Sequence, residues 1–140
     1  MREILFRGKR IYNGKWVEGW YEPPVEWDGH KFGTTIAYIC KEGYLKDAEV
    51  DPSTVGQYTG LTDKNGKRIF EGDVVKWNDK MGRIVFGMGC FCVKYLMPHC
   101  FYRNSPAIDI VFHEYPNEVE VIGNIHDNPE LLEGGAGNDR

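Results

Sequence analysis

The chain has 140 residues, enough for one domain with a core of its own, and 41% of them are hydrophobic and 14% aromatic. That composition excludes a disordered chain, and no apolar run approaches the roughly 20 residues of a membrane-spanning helix. The formal net charge of -4 is not that of a protein built on bulk positive charge to hold nucleic acid.

In chain order, Ile4 to Trp20 reads as a hairpin. "RIYNGKWVEGW" places Asn13-Gly14 between two strand-like runs, and Asn-Gly supplies the two positive φ angles of a type I′ turn. Pro23-Pro24 ends the second strand, because proline has no N–H to give a ladder. "TTIAYIC" is a β-branched run that predicts a strand. "EVDPSTVGQYTG" contains Pro52 and Gly56 and reads as a connector with a short extended piece. "GLTDKNGKRIFEGDVVKW" holds the two densest turn signals in the chain. Asn65-Gly66 predicts a two-residue hairpin tip, and Glu71-Gly72-Asp73 a tight turn leading into "VVKW". After the turn "NDKMG", strands follow at "RIVFG" and "CFCVKYL", with a loop at "PHCFYRNSP". "IDIVFHEY" and "EVEVIGNI" read as the last strands, separated by Pro116-Asn117. "NPELL" predicts one helical turn with Asn128 as N-cap and Pro129 at the first helical position. The final "EGGAGNDR" reads as a flexible tail, residues 134–140.

No run repeats apolar residues at i, i+3, i+4 and i+7 over three turns. Seventeen glycines and frequent turn signals fit short strands instead. The expected class is mainly β. Residues 61–125 have the length and rhythm of a five-stranded, SH3-like, partly open barrel. The expected organisation is one domain over 1–133, with an N-terminal β-hairpin subdomain over about 1–58 and a barrel-like subdomain over about 59–133.

Charge is unevenly spread. Residues 1–62 sum to -1, residues 63–103 to +4 and residues 104–140 to -7. A basic middle followed by an acidic end folds against itself or faces an anionic partner. The first is the simpler expectation, with Asp109, Glu114, Glu118 and Glu120 lying near some of the cations.

Four cysteines are present, Cys40, Cys90, Cys92 and Cys100. "MREILFRGKR" lacks the apolar stretch of a signal peptide, so the expected compartment is the cytoplasm and the expected state free thiols. Alternation puts Cys90 and Cys92 on one face of a strand, and His99-Cys100 follows. The spacing is not that of paired C-x2-C zinc knuckles, so packed thiols are expected and no metal. Cys, His and Asp or Asn are all available for nucleophilic chemistry, but no motif fixes their geometry. There is no G-x-S-x-G, Walker loop or H-E-x-x-H, and "GMGCFC" lacks the helix a phosphate cradle needs. Among the carboxylates, Asp73 is expected to bond a backbone N–H of its own turn. Glu118 and Glu120 alternate with Val119 and Val121, as on a strand with one wet face. No catalytic residue, cofactor or metal ligand is assigned.

The aromatics form two sets. Trp16, Trp20 and Tyr21 lie on the first hairpin, with Trp16 and Trp20 sharing a face; Trp77, Phe91 and Tyr95 lie in the basic middle. The simpler expectation for both is core, and the other is a surface of exposed rings for a partner.

"MREILFRGKR", "WVEGW", "TVGQYTGLTDKNGKRIFEGDVV" and the closing "VIGNIHDNPELL", in this order, resemble the YopX family, small proteins encoded by bacterial phages and prophages. The resemblance covers most of the chain and is weakest over 22–50 and 97–116. It implies a mainly β fold in a bacterial host cytoplasm, and it carries over no activity and no catalytic residue. The function expected is therefore a non-enzymatic β module that binds protein, either itself or another factor. The alternative is a nucleic-acid binder using Lys64, Lys67, Arg68, Lys76, Lys80, Arg83 and Lys94 with nearby rings.

Overall fold

A computed structural model describes residues 4–87, 89–96, 107–115 and 117–132. It is mainly β, as expected. The chain divides into two compact units, Met1–Tyr58 and Thr59–Arg140.

In the first unit, β1 (Phe6–Arg10) and β2 (Trp16–Glu22) pair antiparallel from Phe6↔Gly19 to Lys9↔Trp16. The expected hairpin is present, with a different turn. Four residues separate Arg10 from Lys15: the Arg10 N–H donates to the Lys15 carbonyl and the Gly14 N–H to the Arg10 carbonyl, both at 2.9 Å. Of the pair Asn13-Gly14, only Gly14 has positive φ. Asn13 instead uses its Oδ1 to accept the Lys15 N–H at 2.9 Å, an Asx bond that replaces a type I′ tip.

β2 stops at Glu22, ahead of the prolines. A small hairpin follows that the sequence reading did not expect, β3 (Val25–Trp27) against β4 (His30–Phe32). Its two-residue tip is Asp28-Gly29, with φ of 51° and 76°, the signature of a type I′ turn. β5 (Thr35–Ile39) pairs with both β2 and β6. β6 runs from Leu45 to Thr62, so the segment expected as a connector is the longest strand of the protein. Pro52 is accommodated because β6 bulges away from β1: Lys9 pairs with Asp51 and Arg7 with Gly56, so two steps along β1 match five along β6. No ladder N–H is required inside that bulge. The Thr54 hydroxyl takes over by accepting the Lys9 N–H at 2.9 Å. Val17, Ile36, Ala48 and Val50 make this unit's core, with Phe6, Tyr38 and Val55 against it.

In the second unit the last residues of β6 pair with β7 (Arg68–Phe70). A four-stranded antiparallel sheet follows in the order β10-β9-β8-β11, made of β8 (Asp73–Trp77), β9 (Lys80–Gly87), β10 (Cys90–Tyr95) and β11 (Glu120–Asn124). One face carries Val75 and Trp77 of β8, Ile84 of β9, and Phe91 and Val93 of β10 into a core completed by Ile69 and Val119. Each large apolar side chain so buried contributes about 1.5–3 kcal/mol.

"IDIVFHEY" is not a strand. Residues Ile108–Glu114 form a helix, α1. Strand alternation does not hold at the adjacent apolar pair Val111-Phe112. Ile108, Val111, Phe112 and Tyr115 instead sit at i, i+3, i+4 and i+7, and all four belong to or pack against the core. Two turns are enough for that stripe, so a search for three misses it. At the C-terminal end, residues 130–132 are helical, but the Asn128 side chain is bonded elsewhere than to that turn's N–H groups. Its Oδ1 accepts the Asn124 N–H at 3.2 Å, tying the turn back to β11. The expected loop over 98–106 and tail over 134–140 lie outside the described residues.

Candidate functional site

"GLTDKNGKRIFEGDVVKW" is a structural element. Its first turn is closed by the Gly66 N–H on the Asp63 carbonyl at 2.9 Å and the Asp63 N–H on the Lys67 carbonyl at 2.8 Å. Three residues, Lys64, Asn65 and Gly66, therefore form the tip, with Gly66 at φ 82° as expected and Asn65 not at positive φ. This is a type I turn followed by a glycine bulge, not a two-residue tip. The buried Asp63 secures it. Its Oδ1 accepts the N–H groups of Asn65 and Lys67, each at 2.9 Å, and its Oδ2 accepts that of Val121 at 2.9 Å. Burial pulls the Asp63 carboxyl upward. The three N–H groups together with the charge of Lys67 outweigh it and hold the acid below its ordinary value. Asp73, as expected, accepts a backbone N–H of its own turn, from Phe70 at 2.8 Å.

The thiols come together in part. Cys90 and Cys92 lie on one face of β10 with their Sγ atoms 3.6 Å apart. Cys40, Cys90 and Cys92 are free, and His99 and Cys100 lie outside the described residues. Among the described residues, no three His, Cys, Asp or Glu side chains cluster as metal ligands would. Burial and a hydrogen bond with Cys90 push the Cys92 thiol up.

The basic residues and the rings of the middle segment separate. Direct cross-strand partners share a face, and the register Lys94↔Arg83 and Lys76↔Met81 places Lys76, Arg83 and Lys94 on one face of the sheet. Trp77 and Phe91 are buried in the core on the opposite face, and Tyr95 packs on it, its ring 5.7 Å from that of Trp77. Glu120 lies opposite Lys76 in β11, and its carboxylate is 3.8 Å from the Lys64 ammonium. Glu118 joins Lys64, Lys76 and Glu120 around a shallow hollow of about 300 Å³. The acidic end does meet the basic middle, through Glu118 and Glu120. Glu114 is exposed on α1, and the side chain of Asp109 is not described.

The first hairpin behaves differently from the core expectation. Val17 and Gly19 take the buried face of β2, so Trp16 and Trp20 share the other, and Trp20 is 53% exposed. Trp16 is partly covered by Arg7, whose guanidinium stands 4.5 Å from the ring centre. Tyr21 rests against Phe6, with ring centres 5.4 Å apart. On β3–β4, Val25 faces Phe32 and Trp27 faces His30, which puts all four on one side of a two-stranded ribbon. Trp27 is 77% exposed, Val25 55% and Phe32 53%. A hollow of about 460 Å³ runs beside them, lined by Tyr21, Pro23, Val25, Phe32 and the acids Glu22 and Asp47.

The sequence profile of the YopX protein family matches residues 5–133. The chain belongs to the YopX family. It is similar to the crystal structure of protein EF1440 from Enterococcus faecalis, at 23% identity and a TM-score of 0.53, over 94% of this chain and 99% of that one. That likeness is one of fold. No curated protein matches the chain.

Within this YopX fold, the sequence reading missed the β3–β4 ribbon. Its signal was present in Asp28-Gly29, which has the turn chemistry already recognised at Asn65-Gly66. The flanking runs are only three residues long, which leaves little alternation to mark them as strands. It also missed a carboxyl pair. Glu22 accepts the Thr35 hydroxyl at 2.7 Å, and its hydrogen bond with Asp47 raises the Asp47 carboxyl above its ordinary value, as do burial and the charge of Glu22. Glu22 and Asp47 are 25 positions apart in sequence and meet only because β5 pairs with β2 on one side and β6 on the other.

Proposed function

We propose that this YopX family member is a non-enzymatic, phage- or prophage-encoded β module that acts in the bacterial cytoplasm by binding a protein, a second copy of itself or another factor. The observation that carries this reading is the apolar side of the β3–β4 ribbon. A two-stranded hairpin is marginal in water, and one that turns Val25, Trp27 and Phe32 outward gains from being covered. Rigid aromatic side chains are the usual anchors of protein interfaces. The finer architecture of the second unit, an SH3-like partly open barrel, belongs to the same proposal and is supported by the turn rhythm of residues 61–125. The test is sedimentation of the wild type and of Trp27→Ser with Phe32→Ser over a concentration series. A photo-crosslinker at position 27 is then used in cells carrying the native gene. Concentration-dependent dimers, or a crosslinked partner whose purified form binds the wild type and not the double variant, support the reading. A monomer with no such partner sinks it.

Nucleic-acid binding is the second reading, and the shared face of Lys76, Arg83 and Lys94 favours it. Single-strand binders interleave cations with exposed rings. Here Trp77, Phe91 and Tyr95 lie on the core side of the sheet and carboxylates adjoin Lys64 and Lys76, so protein binding is preferred.

A further inference from the structure

Among the described residues, Cys90 and Cys92 are a pair of thiols that the proposed surface does not use. Their Sγ atoms stand 3.6 Å apart on the same face of β10. A disulfide needs about 2.05 Å, so closure asks for a movement of roughly 1.5 Å. The site can move that far. β10 is an edge strand of its sheet, held by β9 on one side and, among the described residues, by the bridge Cys92↔Ala107 on the other. Cys90 is exposed and opens the strand directly after the turn that contains Gly89, and no heavy atom lies within 4 Å of where a Cβ would stand on Gly87 or Gly89. Cys92 is more covered.

We infer that Cys90 and Cys92 form a redox-responsive dithiol that closes to an intramolecular disulfide on meeting a small-molecule or protein disulfide. The exposed Cys90 thiolate attacks one sulfur of the incoming disulfide, RSSR. A mixed disulfide forms on Cys90, the RS–SR bond breaks, and one thiolate leaves and takes up a proton. Cys92 then loses its proton to solvent and attacks Cys90 Sγ, releasing the second RS⁻. Both cysteines are oxidised and one RSSR is reduced to two RSH. Cys92 is the resolving thiol because burial and its hydrogen bond with Cys90 keep it protonated longer. Residues i and i+2 of a strand lie about 6.4–6.8 Å apart, near the upper limit for a bridge, so the closed form is strained and readily reduced. That makes it a reversible modification and not a structural staple.

The test uses the full chain with oxidised glutathione, quenched by alkylation and read by intact mass and peptide mapping, in native buffer and in denaturant. Expected is a loss of two hydrogens, about 2 Da, mapped to Cys90–Cys92 and reversed by reduced glutathione. It should form at least about tenfold faster in the folded than in the unfolded chain, because the thiols are already aligned. Cys92→Ser should accumulate a single glutathione on Cys90, and Cys90→Ser should place far less on Cys92. Equal rates folded and unfolded, a bridge mapped to Cys40 or Cys100, or Cys92→Ser that takes up glutathione only after unfolding would each overturn the assignment.

Discussion

Asp63 and Val121 stand 58 positions apart in the chain and are joined by a 2.9 Å hydrogen bond, in which the Val121 N–H donates to Asp63 Oδ2. The other carboxylate oxygen of Asp63 holds the Lys64–Gly66 turn shut through Asn65 and Lys67. One buried side chain thus fixes a local hairpin and the start of the last strand together.

Asp63→Ala should destabilise the protein by about 2–4 kcal/mol. It strips a charged acceptor from three part-buried N–H groups at once. Asp63→Asn should cost less but remove a pH dependence. The folded carboxyl lies below its unfolded value, so its stabilisation is fully present above about pH 4 and is lost as pH falls through the folded value. Urea midpoints of the wild type and Asp63→Asn between about pH 2 and 7 should converge at the acid end. Parallel curves over that range would remove the charge from the account.

Gly66→Val tests the turn alone. At φ 82° a β-branched residue is strained, and nothing lies within 4 Å of the position a Cβ would take, so the cost is conformational and not a clash. A loss on the order of 1–2 kcal/mol is expected. An unchanged denaturation midpoint would show that the hairpin contributes nothing to stability.

Elemental analysis of the purified protein should find no stoichiometric zinc. Two thiols 3.6 Å apart supply two ligands, and no third or fourth donor joins them among the described residues. About one zinc per chain, lost in Cys90→Ser, would reverse that reading and make folding depend on the ion.

Generic single- or double-stranded DNA should not bind with sub-micromolar affinity at roughly physiological salt. Lys76, Arg83 and Lys94 share a face, but Glu120 lies opposite Lys76 and beside Lys64. Each such pairing is worth only about 1 kcal/mol across a wet surface, yet it lowers the potential a phosphate backbone meets. Fluorescence anisotropy over a salt series decides the matter. Tight binding with a slope of several counterions, abolished by Lys76→Glu with Lys94→Glu, would raise nucleic acid above protein as the partner.

The sequence alone determined the elements whose cause is local. Asn65-Gly66 and Glu71-Gly72-Asp73 made turns, Pro23-Pro24 ended β2, and the runs "TTIAYIC", "VVKW", "RIVFG" and "CFCVKYL" became strands, because turn chemistry and β-branching act within a few residues. Only the tertiary structure decided what depends on distant partners. Pro52 continues β6 because β1 lets the ladder bulge around it. "IDIVFHEY" coils into α1 because a core waits for Ile108, Val111, Phe112 and Tyr115 on a single side. Trp77 and Trp27, alike in sequence context, end as a core residue at 1% exposure and a surface residue at 77%. Trp77 shares its core with Ile69, Val119 and the α1 residues Ile108 and Val111; the ribbon of Trp27 has only its own two strands.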